Sequence, residues 1–390
     1  MRRIIQTVLS LGAIIYFVYL FTFYMDGETG AIIILFMITA PLLSFIFVLY
    51  GRNKVKFTVY CDAYVNKGSE LKVTVRAERT GKLPLPIITV IPAASEVFVR
   101  NIKPRRLCMF SVQRIEFSFN VTAKTGGNGS IYIKQAYSCG FLGFFRLKMK
   151  TPLPEAVSVG VIPDIPEIKA STQLFRNIAD VVMTSDEDED NDTSMLFSAN
   201  TAPGYEHREY VQGDPLKRIN WKLSSKKSKL MVRLDEAASS VQPLIVLDLF
   251  RNVKADPEYA VITEEKLLRS VFGLLTVLVK RGIACQFMYY SSGGEITVDT
   301  VDNPDQPAQI LLKVLAVTVE KERRIKLAGS AGNVCACLLA TTDAGEGLSS
   351  VIGTLEDRSS VSILGVSAES ANATGLPFWF LDEDDNYKMV

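Results

Sequence analysis

Histidine is nearly absent from this chain, whose 390 residues include only one, His207. The six cysteines form no Cys-x-x-Cys pair and are scattered over segments with strand-like patterns. Structural zinc sites draw their four ligands mainly from cysteine and histidine, so we expect none. Disulfide frameworks are typical of small secreted domains, and this chain is too long for one. We therefore expect buried, reduced thiols and a histidine exposed in a loop beside an acidic run.

Sequence motifs of the common enzyme classes are also missing. The chain has no GxxxxGK[ST] loop, no GxGxxG after a strand, no GxSxG elbow and no HExxH motif. Its net charge of +1 indicates no particular partner. No aromatic residues are interleaved with the basic ones to stack on bases, so we expect no nucleic-acid partner. The sequence predicts a protein that is not an enzyme.

Two long apolar runs stand near the start, Ile4–Tyr24 and Ala31–Tyr50, and neither contains a charge. Each holds roughly 20 residues, which is enough for a helix to cross a bilayer core of about 30 Å. The short connector MDGETG permits only a hairpin turn. A signal peptide fits the first run poorly, because the run is long and no small-residue cleavage site follows it. We predict a transmembrane hairpin over residues 1–56.

The charges beside these runs predict the orientation. The residues before the first apolar run and after the second are basic: Arg2, Arg3, Arg52, Lys54 and Lys56. The connector between the two runs carries only the acidic residues Asp26 and Glu28. Since positive charge stays on the cytoplasmic side, both ends face the cytoplasm. The sequence therefore predicts a multi-pass cell-membrane protein with cytoplasmic soluble domains.

Residues 57–166 show an alternating apolar and polar pattern, for example in Leu71–Glu78 and Ile115–Thr122. Alternation with period two indicates strands with one buried face. Short strands separated by turns predict a β-sandwich-like domain. We interpret the turn SCGFLGFF, Ser138–Phe145, as a packing element.

Residues 167–203 are predicted to be a linker. Its acidic run SDEDEDND, Ser185–Asp192, has six acids in eight residues and repels itself. We expect a mobile, solvated stretch from about Thr184 to Pro203; a regulatory or docking role is left open.

Residues 204–242 follow with the opposite charge. Between Arg208 and Arg233 there are eight basic and two acidic residues, a net charge of +6. Gly213-Asp214-Pro215 predicts a turn in which Asp214 caps a short helix beginning at Pro215. Two apolar side chains, Ile219 and Trp221, are expected to anchor this turn to a core, and LMVRLDE to form a strand.

Three interpretations of this segment stay open. Arg208, Glu209, Asp214 and Arg218 could form an ion-pair network that fixes the turn. The basic face could instead dock a partner or the anionic inner leaflet. It could also bind a phosphate-bearing ligand or nucleic acid.

The same segment resembles the signature of the family catalogued as domain of unknown function 58. The matching residues are Arg208, Tyr210, Gly213, Asp214, Arg218, Ile219 and Trp221. Ser225 and Lys226 stand where the family has an Ala-Arg pair, so charge is kept but bidentate arginine geometry is lost. We take Glu209 and Lys222 into the candidate interaction set. The resemblance implies two membrane helices, a β domain with an aromatic-glycine turn and a von Willebrand factor A-like region. It also implies a MoxR-type AAA+ ATPase as partner.

Residues 243–390 alternate strand and helix patterns. PLIVLDL, Pro243–Leu249, is a continuous apolar run typical of a central parallel strand. Glu264–Arg281 and Pro304–Val319 are predicted helices. Alternation of this kind predicts a mostly parallel, doubly wound α/β domain.

Two strand-end aspartates, Asp248 and Asp343, resemble the first and last ligands of the von Willebrand A cation site. The serine positions of that site hold Phe250 and Asn252. Because Mg²⁺ takes oxygen ligands, we predict a degenerate site without Mg²⁺ and no other cofactor. The favoured interpretation is an aspartate that caps a loop.

We expect a membrane-anchored cytoplasmic scaffold or adaptor that partners a MoxR-type AAA+ ATPase in envelope-associated protein assembly. One alternative is an enzyme or binder that acts on a phosphate-bearing ligand through Asp214, Arg218 and Lys222. The other is an inner-leaflet lipid-binding module.

Overall fold

The structure is a computed structural model. It describes all residues except 1, 25–27, 142, 170–171, 188–201, 210–218, 228, 237–241, 252–255, 292–293, 318–323, 326–333, 344, 346–347, 349–359 and 369–374. The chain divides into two compact units. The first comprises residues 1–164, 255–265 and 315–318, and the second comprises 165–254, 266–314 and 319–390.

Two helices begin the first unit, α1 (Arg2–Tyr24) and α2 (Glu28–Gly51), and they contact each other. Within α2, the 21 residues Ala31–Gly51 have a mean hydropathy of 2.8 and are long and apolar enough to cross a membrane. The apolar part of α1 found among the described residues, Gly12–Tyr24, is shorter. The residues that the structure describes therefore contain one candidate span by length and composition, a test that a signal sequence also passes. Crossing by both helices stays a prediction.

The strands of the first unit form two sheets. Three antiparallel strands, β1 (Val55–Tyr60), β3 (Glu70–Arg79) and β6 (Arg114–Thr122), pair in the order β1-β3-β6. The second sheet has the order β2-β9-β7-β4-β5, with β8 also paired to β7. Its strands are β2 (Tyr64–Asn66), β4 (Ile87–Ala94), β5 (Arg105–Cys108), β7 (Gly127–Cys139), β8 (Arg146–Lys148) and β9 (Val157–Ile162).

The predicted alternation is confirmed in these strands. In β3 every second residue from Leu71 to Ala77 is buried, whereas the residues between them are half-buried or exposed. The buried side chains of β3 join those of β4, β7 and β9 in one apolar core. The two sheets thus cover each other's apolar faces, which is the arrangement that the period of two requires.

A helix, α3 (Gln173–Glu187), occupies part of the predicted linker, so the expectation of a linker from residue 167 is wrong. Leu174 and Ile178, four residues apart on one helix face, are buried. The helix packs against strands of the α/β sheet described next. The acidic run begins inside α3, and residues 188–201 lie outside the described part of the chain.

The α/β sheet of the second unit has the order β14-β13-β12-β15-β16-β17-β18. Pairing is parallel from β13 through β17 and antiparallel at both edges, so the prediction of a mostly parallel sheet is confirmed. Its strands are β12 (Gln242–Asp248), β13 (Cys285–Tyr290), β14 (Ile296–Val301), β15 (Val334–Thr341), β16 (Ser360–Gly365), β17 (Phe378–Leu381) and β18 (Tyr387–Met389).

In the described part of the chain, two helices lie between these strands, α5 (Pro257–Lys280) and α6 (Gln306–Leu315). Helix α5 is longer than predicted at its start, and its predicted stop is confirmed, since Gly282 follows with a φ of 80°. Helix α6 is shorter than predicted. The amide oxygen of Gln306 accepts hydrogen bonds from the Asp302 and Asn303 N–H groups and so closes its first turn.

Two antiparallel strands, β10 (Ala202–Glu209) and β11 (Met231–Glu236), lie in the predicted signature segment, except that β10 begins two residues earlier, in the predicted linker. His207 lies within β10 and pairs with Arg233 of β11, so the expectation of a loop at this histidine is wrong. The predicted strand LMVRLDE is therefore confirmed as β11. A seven-residue helix, α4 (Trp221–Lys227), precedes it. The helix predicted to begin at Pro215 falls on residues 210–218, which lie outside the described residues.

Candidate functional site

The carboxyl edge of the α/β sheet brings together polar residues from β12 and β15. These strands are parallel neighbours, and Asp248 at the end of β12 pairs with Thr341 at the end of β15. The strand order reverses here, because β13 lies on one side of β12 and β15 on the other. Open α/β sheets bind ligands at such a reversal. This edge is therefore the position at which the fold favours a ligand site.

Asp248 is buried, with 1% of its surface exposed. One carboxylate oxygen accepts the Ile325 N–H at 3.1 Å, and the other lies 3.2 Å from Arg324 Nη1 and 3.2 Å from the Thr341 hydroxyl. Burial raises the pKa of Asp248, and these three groups act in the opposite direction. With both oxygens already engaged by donors, Asp248 is a fixed acceptor that ties two strands and a loop together.

Arg324 places a positive charge between the two predicted ligands. Its Nη1 also donates to the Asp343 carbonyl oxygen at 2.9 Å, and its Nη2 lies 3.9 Å from the Asp343 carboxylate. The Arg324 side chain is only 12% exposed. Its guanidinium lies over the Phe250 ring, 4.3 Å from the centroid. The chain thus supplies an internal cation, with carboxylates and an aromatic face around it.

These contacts do not fit a magnesium site. Asp248 and Asp343 do lie at one edge, as their strand-end positions predict, but a guanidinium contacts the oxygens that a metal ion needs. Phe250, at a serine position of the cation motif, contacts that guanidinium with its ring. Among the described residues, no group of three or more His, Cys, Asp or Glu side chains could hold a metal ion. Asn252 lies outside the described part of the chain.

Helix α4 is held to β11 by its first residues and by a buried serine. Asn220 caps the helix, since its side-chain oxygen accepts the Leu223 N–H at 3.1 Å. The Ser224 hydroxyl donates to the Asn220 carbonyl at 2.8 Å and accepts the Met231 N–H at 2.8 Å. The Asn220 N–H donates to the Met231 carbonyl at 2.9 Å. The position of α4 is therefore fixed by the backbone of Asn220 and by the hydroxyl of Ser224.

Substitution of Ser224 by alanine is expected to leave the buried Met231 N–H without an acceptor. An unsatisfied buried group costs about 1–3 kcal/mol, so exchange of the Met231 amide should accelerate at least roughly fivefold. Hydrogen exchange resolved to the residue measures this. Ser225→Ala, at the exposed neighbouring position, should leave that amide unchanged. Equal protection in Ser224→Ala and the parent would contradict the proposed role of the hydroxyl.

The side chain of Trp221 is 65% exposed, so the prediction that it anchors the segment to a core is wrong. Ile219 is buried, as predicted. The difference arises because the backbone N–H of Asn220 and the hydroxyl of Ser224 hold the helix to β11, and the indole is not needed for that. Three exposed lysines share α4 with Trp221: Lys222, Lys226 and Lys227.

The other predicted site residues are described in part or not at all. Arg208 and Glu209 belong to β10, where their backbones pair with Val232 and Met231. Their side chains lie outside the description, as do Tyr210, Gly213, Asp214 and Arg218. The predicted ion-pair network therefore stays a prediction.

No family model and no curated protein matches this chain. Among solved structures, the cohesin module of a Clostridium perfringens family 33 glycoside hydrolase is 12% identical, covers 29% of this chain and 99% of its own, and has a TM-score of 0.23. A CARDB domain from Pyrococcus furiosus is 14% identical and covers 28% and 94%, with a TM-score of 0.23. Salmonella alpha-2-macroglobulin is 18% identical and covers 30% and 7%, with a TM-score of 0.22. Likenesses this weak carry no argument about fold or function.

Proposed function

We propose that this chain is a membrane-anchored adaptor without catalytic activity, with both soluble units on the cytoplasmic side. Two helices, α1 and α2, form the anchor. Support comes from the apolar helix Ala31–Gly51 and from the basic residues that follow it, which favour the cytoplasmic side. The acidic connector between the helices favours the opposite side.

The observation that carries the adaptor role is the exposure of Trp221 on a fixed helix. Tryptophan is enriched among the residues that dominate binding energy at protein interfaces. Here the indole shares a seven-residue helix with the exposed lysines Lys222, Lys226 and Lys227. We infer a partner that offers an apolar pocket for the indole and acidic residues around it.

The carboxyl edge of the α/β sheet supports the same proposal. The Asp248 carboxylate accepts hydrogen bonds from Arg324 Nη1 and from the Thr341 hydroxyl. A carboxylate held in this way suits a structural support better than a group that reacts with a ligand. The resemblance of the signature segment to the family named above points to a MoxR-type AAA+ ATPase as the partner. The role would be protein assembly at the cell envelope.

Replacement of Trp221 by alanine tests the proposal. Loss of an interface tryptophan costs about 2 kcal/mol or more, which is roughly a 30-fold loss of affinity. We expect crosslinking in native membranes, read by mass spectrometry, to capture an AAA+ ATPase with the parent chain and much less with Trp221→Ala. Because the side chain is exposed, the variant should fold normally.

Tyr259→Ala provides the matched control, since Tyr259 is a 61% exposed aromatic residue on α5, away from α4 in the sequence. It should capture as much partner as the parent. Equal capture by Trp221→Ala and Tyr259→Ala would contradict a docking role for α4. A thermal shift with nucleotides or sugar phosphates would favour the alternative of a phosphate-bearing ligand, and salt-sensitive lipid binding that depends on α4 would favour the lipid alternative.

A further inference from the structure

Three connections of the first unit meet at one end of its larger sheet. Ile87, the first residue of β4, pairs with Cys108 at the end of β5 and with Cys139 at the end of β7. The connection before β4 and those after β5 and β7 therefore lie together. The Arg79 guanidinium links two of them, since its Nη1 lies 3.3 Å from the Leu83 carbonyl and 3.4 Å from the Phe110 carbonyl.

Helix α2 ends at the same place. The ring of Phe145 lies 5.0 Å from that of Phe45, and the ring of Phe141 lies 5.9 Å from that of Phe47. Arg52 Nε donates to the Lys148 carbonyl at 3.0 Å, just beyond the end of the helix. The aromatic-glycine turn is thus a packing element, as predicted, and the helix it packs against is the candidate span.

The contact between Phe141 and Phe47 indicates how deep Phe141 would lie in a membrane. Phe47 lies four residues before the end of α2, and a helix rises 1.5 Å per residue, so Phe47 lies about 6 Å inside that end. The apolar stretch of α2 has 21 residues, or about 31 Å, which matches a bilayer core of about 30 Å. If α2 spans the membrane, as the proposed function has it, Phe141 reaches the level of the hydrocarbon boundary.

The side chains at this end are apolar and uncovered. Phe110 is 55% exposed and Phe141 is 41% exposed, and their rings lie 5.9 Å apart. Leu83 and Val112 are exposed in the same connections. We refer to Leu83, Phe110, Val112 and Phe141 as the loop face. An uncovered apolar surface of this kind is typical of an interaction site.

The charged residues in the segments around the loop face are all basic. The segments 51–56, 80–86, 109–113 and 140–152 contain seven lysines and arginines and no aspartate or glutamate. Lys82, Lys148 and Lys150 among them are exposed. Aromatic residues at the headgroup level together with lysines and arginines are typical of contact with an anionic leaflet.

We propose that the loop face is a second membrane contact, which inserts Phe110 and Phe141 into the interface of an anionic phospholipid leaflet beside the end of α2. The inference rests on the proposed function, because α2 must span the membrane. It adds that the first unit lies on the bilayer in one fixed orientation, held by helix and loops together.

Depth-resolved fluorescence tests this in the full chain, reconstituted in nanodiscs of phosphatidylcholine with phosphatidylglycerol. Tryptophan is introduced as Phe110→Trp or Phe141→Trp, and the emission of the parent chain, from Trp221 and Trp379, is subtracted. Lipids brominated near the headgroup should quench both added residues and shift their emission to the blue. Discs of phosphatidylcholine alone should give weaker quenching.

Two control variants separate the possible failures. Val99→Trp places an exposed tryptophan near the other end of β4, an eight-residue strand that spans about 25 Å, and it should escape quenching. Phe36→Trp, at an exposed position within α2, should be quenched by deeply brominated lipids. Suppose that Phe36→Trp is quenched, whereas Phe110→Trp and Phe141→Trp escape quenching as Val99→Trp does. The loop face then does not touch the membrane, and the proposal that α2 spans the membrane is retained.

Two other results would also overturn the inference. If the two loop-face tryptophans are quenched equally in discs with and without phosphatidylglycerol, the proposed preference for an anionic leaflet is contradicted. An unquenched Phe36→Trp would remove the anchor itself, and the loop-face contact with it.

Discussion

Replacement of Arg324 by methionine is expected to destabilise the second unit by about 3–5 kcal/mol at neutral pH, because removal of one partner of a buried ion pair leaves the other charge uncompensated. Asp248 is 1% exposed, so water cannot take the place of the guanidinium. Methionine keeps much of the length of the arginine side chain, which limits the cavity. The loss should therefore come mainly from the charge.

The defect should depend on pH. Burial already raises the pKa of Asp248 in the parent chain, while the Arg324 guanidinium opposes that rise. Without the guanidinium the folded-state pKa rises further above the unfolded one. A raised carboxyl pKa means that stability is retained at low pH, where the group is neutral, and is lost as pH increases through the folded-state pKa. The difference between parent and variant should therefore be larger at pH 7 than at pH 5.

Two buried cysteines provide a local readout. Cys285 and Cys337 lie in the α/β sheet with 0% and 1% exposure, and burial raises the pKa of each thiol to about 12. Since the thiolate is the reactive form, both should resist alkylation until the sheet opens. Their labelling in increasing denaturant, followed by mass spectrometry, measures the stability of this unit alone. Cys108, which is exposed, should label from the start and shows that the reagent is active.

Arg281→Met is the matched control, because Arg281 is exposed just beyond the end of α5. It removes the same charge and should leave the labelling midpoint almost unchanged. If Arg324→Met and Arg281→Met label alike at pH 7, Arg324 is not the internal cation of this edge. A shift of the parent chain's labelling midpoint on addition of Mg²⁺ would contradict the interpretation that Arg324 takes the place of a metal ion at this edge.

The burial of the cysteines could be predicted from the sequence only in part. We expected buried thiols because free cysteine is often buried. That is right for Cys285 and Cys337 and wrong for Cys108, which is exposed at the end of β5. Strand membership followed from alternation and apolar runs, which the pleat of a sheet dictates. The exposure of a residue at the end of a short edge strand depends on how that strand packs against others. The local sequence pattern therefore does not predict it.

The carboxyl edge was predictable in part for the same reason. Asp248 and Asp343 each follow an apolar strand, so parallel pairing brings them to one edge. Arg324 has no comparable signal. It stands in the segment KERRIK, 76 residues from Asp248 in the chain, where any of several cations could be inferred. Phe250 was a clue, because an aromatic ring at a ligand position excludes a metal and can bind a guanidinium instead.

The sequence analysis does not predict helix α3, because the acidic run and the helical spacing of apolar residues in this segment indicate different structures. The acidic run from Ser185 dominates the composition and predicts a solvated loop. The preceding residues nevertheless place Leu174 and Ile178 one helical turn apart. Both are buried in the structure, and the helix packs on the α/β sheet. The helical period is confined to the residues before the acidic run, whereas the composition of the whole stretch is dominated by the acids.

Substitution of Ile178 by aspartate tests whether α3 belongs to the second unit. Deletion of a buried isoleucine side chain costs about 2–5 kcal/mol, and a carboxylate in its place adds the cost of burying an unpaired charge. We expect the helix to detach or the unit to unfold. Cys285 and Cys337 should then label at much lower denaturant concentration than in the parent. A linker that only joins two domains would tolerate the change.

Asn177→Asp adds the same charge one residue earlier, at an exposed position of α3. It separates the effect of burial from that of extra negative charge beside the acidic run. We expect its labelling midpoint to match that of the parent closely. If Ile178→Asp and Asn177→Asp shift the midpoint equally, electrostatics govern this stretch and the packing of α3 contributes little. If only Ile178→Asp shifts it, α3 is part of the α/β core, and the acidic run then starts from a helix fixed to that core.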